Sequence, residues 1–381
     1  RHSGSTVLDQ GLLMSELAAW GYITEAKLLS RQAPRHLGIN MTSGHGMNVG
    51  RSSLISGIHK TWRMSGQDPE YLDTLWHSTI PHPLNAVSRE IDLHPLDLID
   101  SDTEFGVDSR TRRGSTVPAC MAARAALTSG IDLARTTQRA EAATGWERSM
   151  SRLHSGFQTY LVTSGNGEVL QSSDVFPAGH GWPKVDGIVS SLQPHNWVYG
   201  RYNDREPVLY NGDIRVFDTP YLFSCLMFMI ESDGYILPDP YDKQLQATYD
   251  SMLNSPLFLS DQWHQHNIIN YKSNALQLWT VMAALLTDST PIASRVLDSY
   301  IRFTFDEFAP LADFGPSERT DIEISPYTFE EKLNVSSKDG TTQGASHDDL
   351  NILSGVTALR TARLVAGIDD HDDMNLQLIP R

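Results

Sequence analysis

The run Gln158-Thr159-Tyr160-Leu161-Val162-Thr163-Ser164-Gly165-Asn166-Gly167-Glu168-Val169-Leu170-Gln171-Ser172 is where the hydrophobic rhythm of the chain changes. Before it, apolar residues fall at helical spacing. Within it they read as strands, over 158–164 and 168–172, flanking a short glycine turn. A second hairpin pattern follows, with 208–210 and 213–217 flanking Asn211-Gly212, a pair that suits a tight two-residue turn. From these two turns the expected class is α+β, predominantly α-helical, with a small antiparallel β-hairpin element in the middle of the chain.

Working outward toward the N-terminus, Trp146, Met150 and Leu153 share one helical face, and Gly156 reads as the stop of that helix. Ahead of it, Pro118 sits in the first turn of an Ala-rich helix that runs to Ala143 and is interrupted by Gly130. The segment 101–114 has no apolar period and reads as an exposed loop. The region 34–113 is rich in Gly, His, Pro and Ser and predicts only short helices, over 51–62 and 69–76. Leu12, Leu13, Leu17 and Trp20 recur at helical spacing behind Asp9.

Toward the C-terminus, 221–230 is apolar all round and is expected to be deeply buried. Leu276, Trp279, Met282, Ala283 and Leu286 form an apolar stripe. Thr290-Pro291 opens a helix with Ile292, Val296, Tyr300 and Phe303 facing inward. Ser346 and Asp349 resemble a capping box for a helix ending near Gly367. The stretch 313–344 reads as a polar surface excursion. No repeat of fixed period and no linker divides the sequence, so one continuous domain over 1–381 is expected, helical over 1–156, β-containing over 157–217 and helical over 218–381.

The formal net charge of −16 argues against broad attraction to nucleic acid or an anionic membrane. The longest apolar stretch is about half a membrane span. Cys120 and Cys225 lie in apolar surroundings and read as buried, reduced thiols, not a disulfide framework.

Each chemical motif has a plainer reading. Gly44-His45-Gly46-Met47-Asn48-Val49-Gly50 places its last glycine one residue late for a dinucleotide fingerprint, and it reads as a turn. Asp261, His264 and His266 form the most metal-like cluster, because the two histidines would share a face on a strand, although not on a helix. Asp369-Asp370-His371-Asp372-Asp373 lacks the ligand spacing of a calcium loop and reads as a solvated acidic turn. The expectation is therefore no cofactor, no metal site and no identifiable catalytic residue.

Two loops are rich in flat aromatic faces, Ala178-Gly179-His180-Gly181-Trp182-Pro183 and Pro194-His195-Asn196-Trp197-Val198-Tyr199-Gly200-Arg201-Tyr202. Asp174, Asp186, Asp213 and Asp261 lie near the aromatic loops. They are the cheapest candidates for a glycosidic carboxylate pair, a feature set in space rather than in sequence.

Two functional readings follow. In composition and organisation the chain is similar to the helix-rich capsid proteins of fungal partitiviruses and totiviruses. That resemblance implies a self-assembling shell subunit of a small icosahedral double-stranded RNA virus, in the virion or cytoplasm. Its partners would be copies of itself, with loose RNA contact and no membrane, and it leans away from an enzyme. The alternative is an all-helical toroid, a glycosidase or polysaccharide lyase. There Trp182, Trp197, Tyr199, Trp263 and His264 would line a sugar groove, and Leu376-Gln377-Leu378-Ile379-Pro380-Arg381 resembles the C-terminal rim of some six-hairpin glycosidases. Against the toroid stand the poor helical pattern of 34–113 and the two hairpins at Gly165 and Asn211, which interrupt the helical pattern.

Overall fold

Gly21, Gly66, Gln138, Gly234, Asp288 and Gly367 share a left-handed backbone, with φ of 86, 74, 58, 77, 56 and 69°, and each follows the end of a helix. The computed structural model describes residues 7–36, 47–101, 114–162, 191–192, 223–253, 258–259, 262–263, 271–272, 274–305, 332–335, 342–347, 352–370 and 377–378. Among them are twelve α-helices: α1 (Val7–Ala19), α2 (Ile23–His36), α3 (Met47–Met64), α4 (Pro69–Ser78), α5 (Pro81–Leu93), α6 (Val117–Thr136), α7 (Ala140–Tyr160), α8 (Leu226–Asp233), α9 (Tyr241–Leu253), α10 (Asn274–Leu286), α11 (Thr290–Phe305) and α12 (Ile352–Val365).

The left-handed residues end α1, α3, α6, α8, α10 and α12. Four of these ends carry the same backbone bond, from the N–H just past the helix to a carbonyl five residues back. The bonds are Tyr22 to Leu17 at 2.8 Å, Gln67 to Trp62 at 3.0 Å, Arg139 to Ala134 at 2.7 Å and Ser289 to Ala284 at 2.7 Å. This cap satisfies carbonyls at the helix end and reverses the chain within a few residues. The structural repeat is therefore a helix, a tight left-handed turn and a returning helix. It has no fixed sequence period because the connections between one returning helix and the next repeat differ in length.

The helices that end in these turns close a ring. α1 packs on α3, α3 on α6, α6 on α8, α8 on α10, α10 on α12, and α12 returns to α1. Of the helices that follow the turns, α2 packs on α1, α7 on α6 and α11 on α10, while α5, reached from α3 through α4, packs on α3 and α7. Composition explains the two layers. α6, α8 and α10 are apolar nearly all round, as a helix walled on every side must be, whereas α2, α5 and α7 carry one apolar face. Small residues bring the inner helices close. Ser53 of α3 donates to the Leu8 carbonyl of α1 at 2.7 Å, and Gly57 faces the Gly11 carbonyl. These contacts join α1 and α3 in the same direction, so the ring has two unlike ends. The tight turns lie at one end and the helix N-termini at the other.

The α+β expectation is corrected. The body of the described chain is helical, and no β layer enters its core. Gln158, Thr159 and Tyr160, expected as strand, form the last turn of α7, which runs straight through Gly156. Gly156 is not a stop; it sits where α7 passes close to the carbonyls of Leu96 and Asp97. Gly130 likewise lies inside α6, against the Leu84 side chain. The rest of both expected hairpins, around Gly165-Asn166-Gly167 and Asn211-Gly212, lies outside the described residues.

The strands that are described are short pieces of connection. β1 (Asp100–Ser101), β2 (Gly114–Thr116) and β3 (Ser191–Leu192) pair beside the start of α6. β4 (Phe258–Leu259) pairs with β5 (Gln262–Trp263). β6 (Tyr271–Lys272), β7 (Lys332–Val335) and β8 (Thr342–His347) form an antiparallel trio, and β9 (Ile368–Asp369) pairs with β10 (Gln377–Leu378). Ser346, expected to cap α12, instead pairs with Leu333 in β8.

Region 34–113, which predicted little helix, holds α3, α4 and α5. Asp68 caps α4 by accepting from the Glu70 and Tyr71 backbone N–H groups at 3.0 and 3.2 Å. The objection to a toroid therefore falls.

Candidate functional site

A ring of parallel helices has a built-in polarity. The N-termini of α1, α3, α6, α8, α10 and α12 gather at one end, bringing their partial positive charge to one rim. β2 leads directly into α6, while β6 and β8 precede α10 and α12, so two small sheets edge this rim.

The residues singled out for sugar contact fall, in sequence, between helices of the ring. Asp174, Trp182, Asp186, Trp197, Tyr199 and Asp213 fall between α7 and α8, and Asp261, Trp263, His264 and His266 fall between α9 and α10. Of these only Trp263 is among the described residues. It lies in β5, paired with Phe258, in a strand that packs on α10. The others lie outside the described residues.

The opposite end is filled by buried ions. Arg360 of α12 donates to Glu16 of α1 at 2.7 Å, lies 2.9 Å from Glu231 of α8 and also donates to the Met227 carbonyl. Arg363 reaches Glu16 at 2.9 Å and Asp370 at 2.6 Å, and Lys60 of α3 reaches Asp370 at 2.8 Å. Three cations thus meet three carboxylates, and none of the six side chains is more than 9% exposed.

Burial alone would raise the Glu231 carboxyl, but Arg360, Lys60 and Arg363 together hold it well below the usual carboxylate range. Burial likewise opposes the charge on Arg363, yet Glu16, Asp370 and Glu231 hold its proton more firmly than in an ordinary arginine. The cluster ties α1, α3, α8 and α12 together. The acidic run at 369–373 is corrected accordingly. Asp369 and Asp370 are buried, and Asp369 accepts the Tyr235 N–H at 2.9 Å, while 371–373 lie outside the described residues.

Between α3, α6, α7 and the end of α8 lies a cleft of about 520 Å³. His59 Nε2 and Asp132 Oδ2 meet there at 2.8 Å, and Arg135 donates to Glu147 at 2.7 Å. Burial lowers the pKa of His59 below the ordinary histidine value despite the Asp132 carboxylate. The indole N–H of Trp62, in the cleft wall, is buried without a hydrogen-bond partner. Sequence reasoning passed over this cleft because its residues come from four separated helices.

Met47, Asn48, Val49 and Gly50 form the first turn of α3, so the glycine-rich run opens a helix, and residues 44–46 lie outside the described residues. Cys120 and Cys225 are buried and free, and burial pushes the Cys225 thiol up to about 12. Among the described residues no group of three or more His, Cys, Asp or Glu side chains could hold a metal ion, and no helix is long and apolar enough to cross a membrane.

No family model and no curated protein sequence matches the chain. Among solved structures it is similar to the crystal structure of a bacterial glucoamylase complexed with acarbose, with a TM-score of 0.52 at 12% identity. The match covers 94% of this chain and 48% of that one, so the chain spans about half the length of the glucoamylase. At this identity the likeness is one of fold, and it agrees with the helical ring in place of the expected α+β class.

Proposed function

We propose that this protein is a carbohydrate-active enzyme, a glycosidase whose site lies at the rim of the helical ring where the helix N-termini gather. The observation that carries the reading is the fold likeness, running over nearly the whole chain, to a glucoamylase solved with acarbose. Two features support it. The ring gathers its helix N-termini at a single end, and the sequence between its helices carries Trp182, Trp197, Tyr199 and Trp263 together with Asp174, Asp186, Asp213 and Asp261. Aromatic faces stack on sugar rings, and a pair of carboxyl groups is what glycoside hydrolysis requires: one to protonate the leaving oxygen, the other to activate water or attack the sugar directly. The ion cluster is not that pair, because its carboxylates are engaged by Arg360, Arg363 and Lys60.

The test is a screen of α-linked and β-linked glucans with the purified protein, reading reducing ends, followed by Asp→Asn changes at 174, 186, 213 and 261. Hydrolysis by the parent, reduced at least a hundred-fold in one or two of the four variants, supports the reading. An unsaturated, ultraviolet-absorbing product would make the enzyme a lyase. No turnover on any glucan, together with a megadalton native mass, would overturn it in favour of a self-assembling shell subunit. No observation on the described residues favours that second reading.

A further inference from the structure

We infer that the cleft between α3, α6, α7 and α8 is a second binding site, separate from the rim, for a small neutral polyhydroxylated ligand such as a monosaccharide. Its volume of about 520 Å³ lies in the range of small-molecule pockets.

The chemistry of its walls chooses the ligand class. Arg135 is paired with Glu147, and Asp132 is faced by Arg63 and Arg135 as well as by His59. Glu231, which also lines the cleft, is engaged by Arg360 and Arg363, so each lining carboxylate has a cationic partner and the walls do not select a simple anion or cation. Hydrogen-bonding capacity remains in excess. In their contacts with His59 at 2.8 Å and Arg135 at 2.7 Å, Asp132 and Glu147 each use a single oxygen, and a carboxylate can accept several donors. The Trp62 indole N–H, in the cleft wall, is a buried donor with no acceptor and so adds an unused donor beside the cleft. Closely spaced donors and acceptors of both kinds, with little net charge, match vicinal hydroxyl groups, each of which donates and accepts.

This inference does not rest on the glycosidase reading, since the ligand class follows from the cleft itself. The test is a titration of the full chain, labelled at its tryptophan indole nitrogens, with D-glucose at neutral pH. The Trp62 signal is assigned by Trp62→Phe. Thr136, exposed at the cleft edge, is changed to Trp to fill the space without touching the core, and Asp132→Asn removes one acceptor at the surface.

The expected result is a saturable shift of the Trp62 indole signal, lost in Thr136→Trp and at least ten-fold weaker in Asp132→Asn. Absence of a saturable shift, an unchanged shift in Thr136→Trp, or displacement of glucose by inorganic phosphate or by arginine would each overturn the inference. Glucan hydrolysis by the parent and by Thr136→Trp is read separately, so failure of the rim reading and failure of the cleft reading give different results.

Discussion

Glu16 and Arg360 stand 344 residues apart in sequence and 2.7 Å apart in space, with neither side chain exposed to solvent. Their contact joins the first helix of the ring to the last. A buried ion pair is weak evidence of net stabilisation, because desolvating both charges offsets their attraction, but removing one partner leaves the other uncompensated. Arg360→Met is therefore expected to destabilise the protein by ~3–5 kcal/mol in urea unfolding, whereas a variant that replaces Glu231 and Arg360 together with apolar residues leaves Arg363 and Lys60 balanced by Glu16 and Asp370 and loses less. Equal losses in the two variants would count against this account.

The α1–α3 interface predicts opposite outcomes for two glycine substitutions. A Cβ at Gly57 would lie about 2.5 Å from the Gly11 carbonyl oxygen, so Gly57→Ala forces the two helices apart and costs ~1–3 kcal/mol. Gly145, inside α7, has nothing within 4 Å of an added Cβ, and Gly145→Ala should stabilise by ~0.5–1 kcal/mol. Thermal unfolding of the two variants, measured side by side, checks both signs.

Gln138 holds a left-handed backbone, φ 58°, at the turn between α6 and α7. A side chain in this conformation costs ~1–2 kcal/mol that glycine does not incur. Gln138→Gly should therefore raise the unfolding midpoint despite the greater freedom of the unfolded chain, and a fall would show that the Gln138 side chain contributes more than its backbone costs.

Acid should weaken the fold in two steps. His59 has its pKa lowered in the folded state, so as pH falls below about 6.5 the unfolded chain takes up a proton that the folded chain does not. Stability is lost through that window, and His59→Gln should flatten the slope there. Glu231 has a depressed folded pKa; its contribution is complete above about pH 4.5 and is lost as pH falls below that value. Urea unfolding at half-unit pH intervals separates the two steps.

Cys120 and Cys225 should both be silent to a thiol reagent in the native protein and both react after unfolding, because each is buried and the Cys225 thiol is pushed far from its reactive thiolate form. Labelling of either in the native state would indicate local opening of the inner ring.

Local sequence carried much of the helical layer. Pro118 and the alanines after it marked α6, the unbroken apolar run at 221–230 marked α8, and Thr290-Pro291 marked the start of α11, because propensity, capping and periodicity act over a few residues. The same local rules failed at Gln158 and at Ser346. At the first a short alternating pattern was overridden by the continuing helix; at the second a capping signal served a strand. They failed also at Gly130 and Gly156, where glycine is required by a neighbouring side chain or backbone and not by a helix end.

What the sequence alone determined was much of the inner helical layer, the apolar setting of Cys120 and Cys225 and the net negative charge. Ring closure, the pairing of Glu16 with Arg360, the burial of Asp370 and the cleft around Trp62 were decided only in three dimensions. Each joins residues on different helices, and no short-range rule connects a glutamate in the first helix to an arginine in the last. Burying charge is costly unless an opposite charge arrives from elsewhere in the chain, so the ion cluster exists only once packing has brought its members together.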